Sequence, residues 1–219
     1  MTRVSFPSSM GESAGFLEAP SGEGRGPAVV VIHEWWGANE QIVKTARRWA
    51  DAGFLALAPD LYHGKVIPIG QADAADAAMK GLDFGKAVQE LAGAVQFLRD
   101  HPRCNGKVVV TGYCMGGALT LATAVNVRGL ACAVAWYGTP GDLDWSMVDA
   151  PVQAHFATHD DWASVAAGKQ IQAGVKSMEL HVYEAQHAFC NDQRPDVYNP
   201  EAAALSWERA LAFAKAHTA

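Results

Sequence analysis

Apolar residues along the chain come in short runs set apart by Gly, Pro and polar clusters, and between the runs the spacing changes to the three-and-four pattern of helices. The clearest run, Ala28-Val29-Val30-Val31-Ile32-His33, is β-branched and hardly alternates, which predicts a strand covered on both faces. Asn39 reads as a helix N-cap and Gly53 as the residue beyond its end, with Ile42, Ala46, Trp49 and Ala50 on one stripe. Residues 54–58 return as a second parallel strand, stopped by Pro59. A loop over 60–64 leads through short Ala-rich helical material to a helix near 83–100, whose apolar face is Val88, Leu91, Ala92, Val95 and Leu98. The alternation continues with a strand at 108–111, a helix after Cys114, and strands at 131–137, 152–157 and 179–183. A helix near 163–175 separates the last two strands, and a final helix starts at Asn199-Pro200, cap then N1, and runs toward 216. Ahead of the parallel part, residues 4–10 and 15–18, split at Gly11, predict an antiparallel hairpin. Strands joined by crossover helices predict an α/β fold: a mostly parallel central sheet with helices on both faces, in one domain over 1–219.

Composition narrows the function. The chain has 219 residues, half of them hydrophobic, with no apolar run near the length of a membrane span. Seventeen Lys and Arg against 23 Asp and Glu leave a net charge of −6 without a basic cluster, so neither nucleic acid nor an anionic membrane surface is an expected partner. No signal-like apolar stretch follows Met1-Thr2-Arg3, and a cytoplasmic location is the expectation. Four cysteines with no C-x-x-C pair exclude a disulfide scaffold or zinc ribbon. His33-Glu34 is not followed by a second His one turn later, so no metal site is expected and no cofactor is implied.

The candidate chemistry lies at strand ends. Gly112-Tyr113-Cys114-Met115-Gly116-Gly117 joins a strand to a helix as a G-x-C-x-G nucleophile elbow, with small residues two before and two after the Cys. The helix N-terminus aims its first amides at the place where a thiolate or an oxyanion would form. Thr158-His159-Asp160-Asp161 follows one later strand and Glu184-Ala185-Gln186-His187 another, which gives the chain order nucleophile, acid, base. Asp160 is preferred over Asp161 because it comes first after the strand.

These motifs, with His33-Glu34-Trp35-Trp36-Gly37, Ala58-Pro59-Asp60-Leu61-Tyr62, Trp136-Tyr137-Gly138 and Gln186-His187-Ala188-Phe189, resemble the dienelactone hydrolase family over nearly the whole chain. The family is the cysteine branch of the α/β-hydrolase fold. The resemblance implies a triad of Cys114, Asp160 and His187, with Glu34 taking the thiol proton once substrate is bound. It also implies an oxyanion hole from the amides of Met115 and Trp35, and substrate contacts at Trp36, Tyr137 and Asn191. The substrate implied is a small lactone or ester. Two family arginines that grip a substrate carboxylate have no counterpart: no Arg lies between Arg48 and Arg99, and Asn191 stands four residues after His187. Arg194, Lys65, Lys80 and Lys86 are the candidate replacements. Two other readings stay open: a carboxylesterase or thioesterase, and a silent binding or thiol-sensing protein on the same fold.

Overall fold

The computed structural model describes residues 1–219, and its elements follow in chain order. They are β1 (Thr2–Ser8), β2 (Gly11–Glu18), β3 (Gly26–Ile32), α1 (Glu40–Asp51), β4 (Leu55–Pro59), α2 (Ala72–Gly81), α3 (Phe84–Asp100), β5 (Cys104–Tyr113), α4 (Met115–Asn126), β6 (Cys132–Trp136), β7 (Val152–His159), α5 (Val165–Gly174), β8 (Met178–Gln186) and α6 (Pro200–Thr218). All eight strands form one sheet in the order β1-β2-β4-β3-β5-β6-β7-β8. The β1–β2 and β2–β4 pairs are antiparallel and all other pairs are parallel. This is the α/β architecture expected from the alternation, in the α/β-hydrolase form that the family resemblance implies.

The connections explain where a site must lie. From β3 the chain crosses by α1 to β4 on one side, then returns by α3 to β5 on the other. Strand order therefore reverses between β3 and β5, and such a switch opens a crevice beyond the carboxyl ends of the strands. Glu34 follows β3 and Cys114 follows β5, so both stand at the mouth of that crevice.

Local chemistry sets most element ends. The Asn39 side chain accepts from the Ile42 amide at 3.2 Å and caps α1. At the other end the Gly53 amide donates to Ala50 O and the Phe54 amide to Trp49 O, the paired bonds of a Schellman stop. Asn199 likewise caps α6, with Pro200 in its first turn. Some expected bounds are corrected. Gly11 opens β2, which is longer than residues 15–18 because it is held between β1 and β4. Pro59 is the last residue of β4, tolerated opposite Gly15 at the strand end. β5 begins at Cys104, four residues earlier than its apolar part, through a bulged pairing with Gly26.

Beneath the site, four rings stack across neighbouring strands. Tyr113, Trp136, His155 and His181 occupy directly paired positions on β5 to β8, with centroids 4.5, 4.9 and 5.4 Å apart. The first two rungs immediately precede Cys114 and Tyr137. Stacking thus pins the register of the strands that deliver these residues, since a one-residue slip would turn the rings to the other face.

Candidate active site

Cys114 sits at the turn between β5 and α4 with φ 56° and ψ −119°, a left-handed conformation that costs a non-glycine residue about 1–3 kcal/mol. The turn is forced by close packing: a Cβ on Gly116 would lie 2.5 Å from Ile32 O and 2.6 Å from His33 O. Any larger residue there would push α4 off β3. Tyr137 and Ala188, which flank the same crevice, also have positive φ, at 36° and 64°. Three of the four non-glycine residues with positive φ thus border the crevice; the fourth, His63, lies in the turn after β4.

His187 follows β8, and its Nδ1 donates to Asp160 Oδ2 at 2.7 Å. The other carboxylate oxygen of Asp160 accepts the amides of Trp162 and Ala163, both at 2.8 Å. Three donors fix this carboxylate, and the Nδ1–H tautomer leaves Nε2 as the ring's other reactive nitrogen. Burial acts to lower the imidazole pKa, but hydrogen bonds with Asp160 and Cys114 outweigh it and push it up to about 10. Asp161, the sequence alternative, lines the cleft but makes no bond to His187.

Glu34 is buried, and the loss of water raises its carboxyl pKa above the ordinary value. Asn191 Nδ2 donates to Oε2 at 2.7 Å and the Tyr137 hydroxyl donates to Oε1 at 3.4 Å, which partly restores the charged form. Met115 is the first residue of α4, where an amide has no intrahelical acceptor, and the Trp35 amide pairs with no carbonyl of the chain. The two expected oxyanion donors are thus free of backbone partners.

A cleft in two lobes meets at Met79, Cys114, Trp162 and His187. The polar lobe, about 230 Å³, has Glu34, Trp35, Asp161, Gln186 and Arg194 in its wall. The apolar lobe, about 440 Å³, is walled by Leu82, Phe84, Met115, Ala118, Tyr137 and Pro140. A separate cavity of about 210 Å³ between α1 and α6 reaches neither Cys114 nor His187.

Two expected substrate contacts need correction. Asn191 is fully buried and its amide is committed to Glu34, so it braces the carboxylate from behind. Trp36 is 2% exposed and packs with Ile67 and Ala75 outside both lobes; its neighbour Trp35 is the wall residue. Tyr137 does line the apolar lobe. Of the candidate cations, Arg194 and Lys80 reach the lobes, whereas Lys65 and Lys86 border a different groove. Arg194 pairs with Asp196 at 2.6 Å. Sequence reading missed Trp162, which is 63% exposed, shared by both lobes and in edge contact with Trp35. The only available signal was a large aromatic two residues after the acid.

The four free thiols differ in access to the cleft. Burial raises the pKa of Cys104, and it pushes Cys132 and Cys190 to about 12, while Cys114 alone opens into the cleft. No group of side chains able to hold a metal ion is present.

With this geometry in view, relatives decide the family. The dienelactone hydrolase family pattern matches residues 14–218. The chain belongs to the dienelactone hydrolase family. A carboxymethylenebutenolidase from Pseudomonas sp. (strain P51) is 31% identical, over 94% of this chain and 90% of its own length. A probable 2-oxo-3-(5-oxofuran-2-ylidene)propanoate lactonase from Bradyrhizobium sp. is 30% identical, over 92% and 88%. Among solved structures, one from Klebsiella pneumoniae subsp. pneumoniae MGH 78578 superposes with a TM-score of 0.88 at 26% identity, covering 98% of this chain and 97% of the other. A dienelactone hydrolase-like promiscuous phosphotriesterase from metagenomic libraries has the same fold, with TM-score 0.88, 22% identity, and coverage of 100% and 99%. As a family member the chain is a hydrolase, and none of its helices is long and apolar enough to cross a membrane.

Proposed function

We propose that this hydrolase cleaves lactones or small esters by acyl transfer to Cys114, with Asp160 and His187 completing the triad and Glu34 assisting, within a single α/β-hydrolase domain over 1–219. The observation that carries the reading is the meeting of the elbow thiol with the Asp160-bound imidazole at the junction of the two lobes.

The protonation of His187 shapes the steps. In this reading His187 enters as the imidazolium on Asp160, so the thiol proton goes elsewhere; an ionised Cys114 beside it is among the causes that push the ring up to about 10 and hold that proton in place. Glu34, lining the same lobe and drawn toward its protonated form by burial, takes that proton as Cys114 becomes the thiolate. The sulfur attacks the acyl carbon, and the carbonyl oxygen gathers charge between the amides of Met115 and Trp35. Collapse breaks the bond to the alcohol oxygen, which receives the His187 Nε2 proton. In a lactone that alcohol stays tethered to the acyl group. Neutral His187 then accepts a proton from water, whose hydroxide attacks the thioester, and the expelled thiolate recovers its proton from Glu34.

Relatives that include a carboxymethylenebutenolidase and a lactonase support a lactone substrate. Two lobes on opposite sides of the thiol also accommodate an open-chain ester or thioester, with one substituent in each. Arg194 is already neutralised by Asp196 and shares its lobe with Asp161, so a substrate carboxylate finds no unpaired cation there. Uncharged substrates are therefore expected to be processed at least as well as carboxylated ones.

Hydrolysis of 4-nitrophenyl acetate tests the nucleophile. Iodoacetamide should label one thiol and abolish turnover, and Cys114→Ala should leave less than a few per cent of activity. Retention of wild-type turnover in Cys114→Ala would overturn the reading.

A further inference from the structure

One buried histidine is outside the triad yet beside the site. His33 is completely enclosed, and its Nδ1 lies 2.6 Å from the carbonyl oxygen of Glu34. A carbonyl can only accept, so Nδ1 carries the hydrogen. Burial lowers the ring's pKa, in keeping with a neutral imidazole, and Nε2 has no partner. The ring's one hydrogen bond is therefore to the peptide that joins Glu34 to Trp35.

That peptide is planar and trans, so its C=O and N–H point in opposite directions. Fixing the Glu34 carbonyl on one side fixes the Trp35 N–H on the other. The carbonyl is also reached by the Gly37 amide, at 3.2 Å. Gly37 has φ +85° and no room for a side chain: a Cβ would stand 2.6 Å from Lys65 O. The tight turn over Glu34–Gly37 thus has one short side-chain bond and one longer backbone bond holding the same oxygen. The Trp35 N–H itself has no backbone acceptor, and Trp35 lines the polar lobe with Cys114.

We infer that His33 is a positioning residue that locks the Glu34–Trp35 peptide with its N–H turned to the oxyanion site. The inference rests on the acyl-transfer reading above. Rotation of this one peptide would withdraw an oxyanion donor while leaving the thiol, the imidazole and Asp160 in place. The effect of losing His33 must then appear in acylation and be absent from thiol reactions that form no oxyanion.

Three variants separate these possibilities. His33→Leu removes the donor, His33→Gln places an amide near the former Nε2, and His33→Asn places an amide NH₂ near the former Nδ1. Full loss of one oxyanion donor costs about 10²–10³ in kcat, so intermittent misorientation in His33→Leu and His33→Gln should lower kcat for 4-nitrophenyl acetate by about 10- to 100-fold. KM should change little, and His33→Asn should recover most of the rate. The rate of Cys114 alkylation by iodoacetamide, and its pH profile, should match wild type in all three. Near-wild-type kcat in His33→Gln, or no recovery in His33→Asn, would overturn the assignment, as would alkylation that falls in step with kcat. The Asn and Gln pair, both polar, keeps the comparison decisive if the Leu variant fails to fold. Wild-type turnover in Cys114→Ala would instead remove the thiol chemistry, and the role of His33 with it; an inactive Cys114→Ala beside a fully active His33→Leu removes only the latter.

Discussion

Two buried carboxylates border His187, one after β7 and one after β3, and they are held in opposite ways. Asp160 accepts three hydrogen bonds, two from amides of its own turn and one from the imidazole. Glu34 has one short bond from Asn191 and one long one from Tyr137, in surroundings that favour its neutral form. A carboxylate saturated with donors is held in one orientation and can orient a neighbour, whereas one that is buried and under-supplied can exchange a proton. In the proposed mechanism, identical functional groups thus take different parts because of the number of N–H and O–H groups aimed at them.

Breaking the saturated side should do the most harm. Asp160→Asn removes the acceptor that sets the His187 tautomer and should lower kcat by roughly a thousandfold or more, while Asp161→Asn stays within a few-fold. Steady-state rates on one ester decide it, and the reverse pattern would move the role by one residue. Removing the exchangeable proton comes next: Glu34→Gln should lower kcat by about a hundredfold and alter the pH profile of Cys114 alkylation, with KM similar. An unchanged rate and profile would leave Glu34 a bracing group only.

A smaller change sharpens the contrast without deleting either carboxylate. Asn191 donates to the charged form of Glu34, so Asn191→Ala should raise the Glu34 pKa further and carry the acidic limb of kcat/KM upward by about one pH unit, worth ~1.4 kcal/mol. An unmoved limb would detach Glu34 from that ionisation. The least effect is on stability, and its sign is definite. Native Glu34 has a raised pKa, so above the unfolded value near 4.5 the native state binds more protons and its stability falls as pH rises. Glu34→Gln should therefore melt higher than wild type at pH 7.5, by about 2–4 °C for each kcal/mol recovered, and lose that advantage near pH 4. Equal melting temperatures at both pH values would mean that the buried charge carries no net penalty.

How much of this was legible beforehand follows from how local each cause is. The strand at 28–32 announced itself because a run buried on both faces leaves no alternation, and the α1 and α6 caps are one-residue signals. Cys114, Asp160 and His187 could be ordered along the chain because the fold brings strand ends to one edge. The walls could not. Asn191 and Trp36 look like binding groups in sequence, yet one is turned inward to Glu34 and the other is covered. α2 appeared only as Ala-rich helical material, and nothing within it shows that Met79 and Lys80 reach the cleft. Such placements depend on packing between distant segments. The pull of Asn191 on Glu34, 157 residues earlier, belongs to the same class.

The two-lobed cleft has a consequence for how this enzyme can diversify. Only Met79, Cys114, Trp162 and His187 are common to both halves. Leu82, Phe84 and Pro140 shape one half alone, and Gln186 and Arg194 the other. Wall residues in one half can therefore be exchanged, by drift or by design, without altering the half that receives the remainder of the substrate. If acyl transfer runs as proposed, with one substituent in each lobe, acyl preference and leaving-group preference become separately heritable traits, and libraries aimed at one lobe at a time should yield altered selectivity more often than substitutions at the four shared positions.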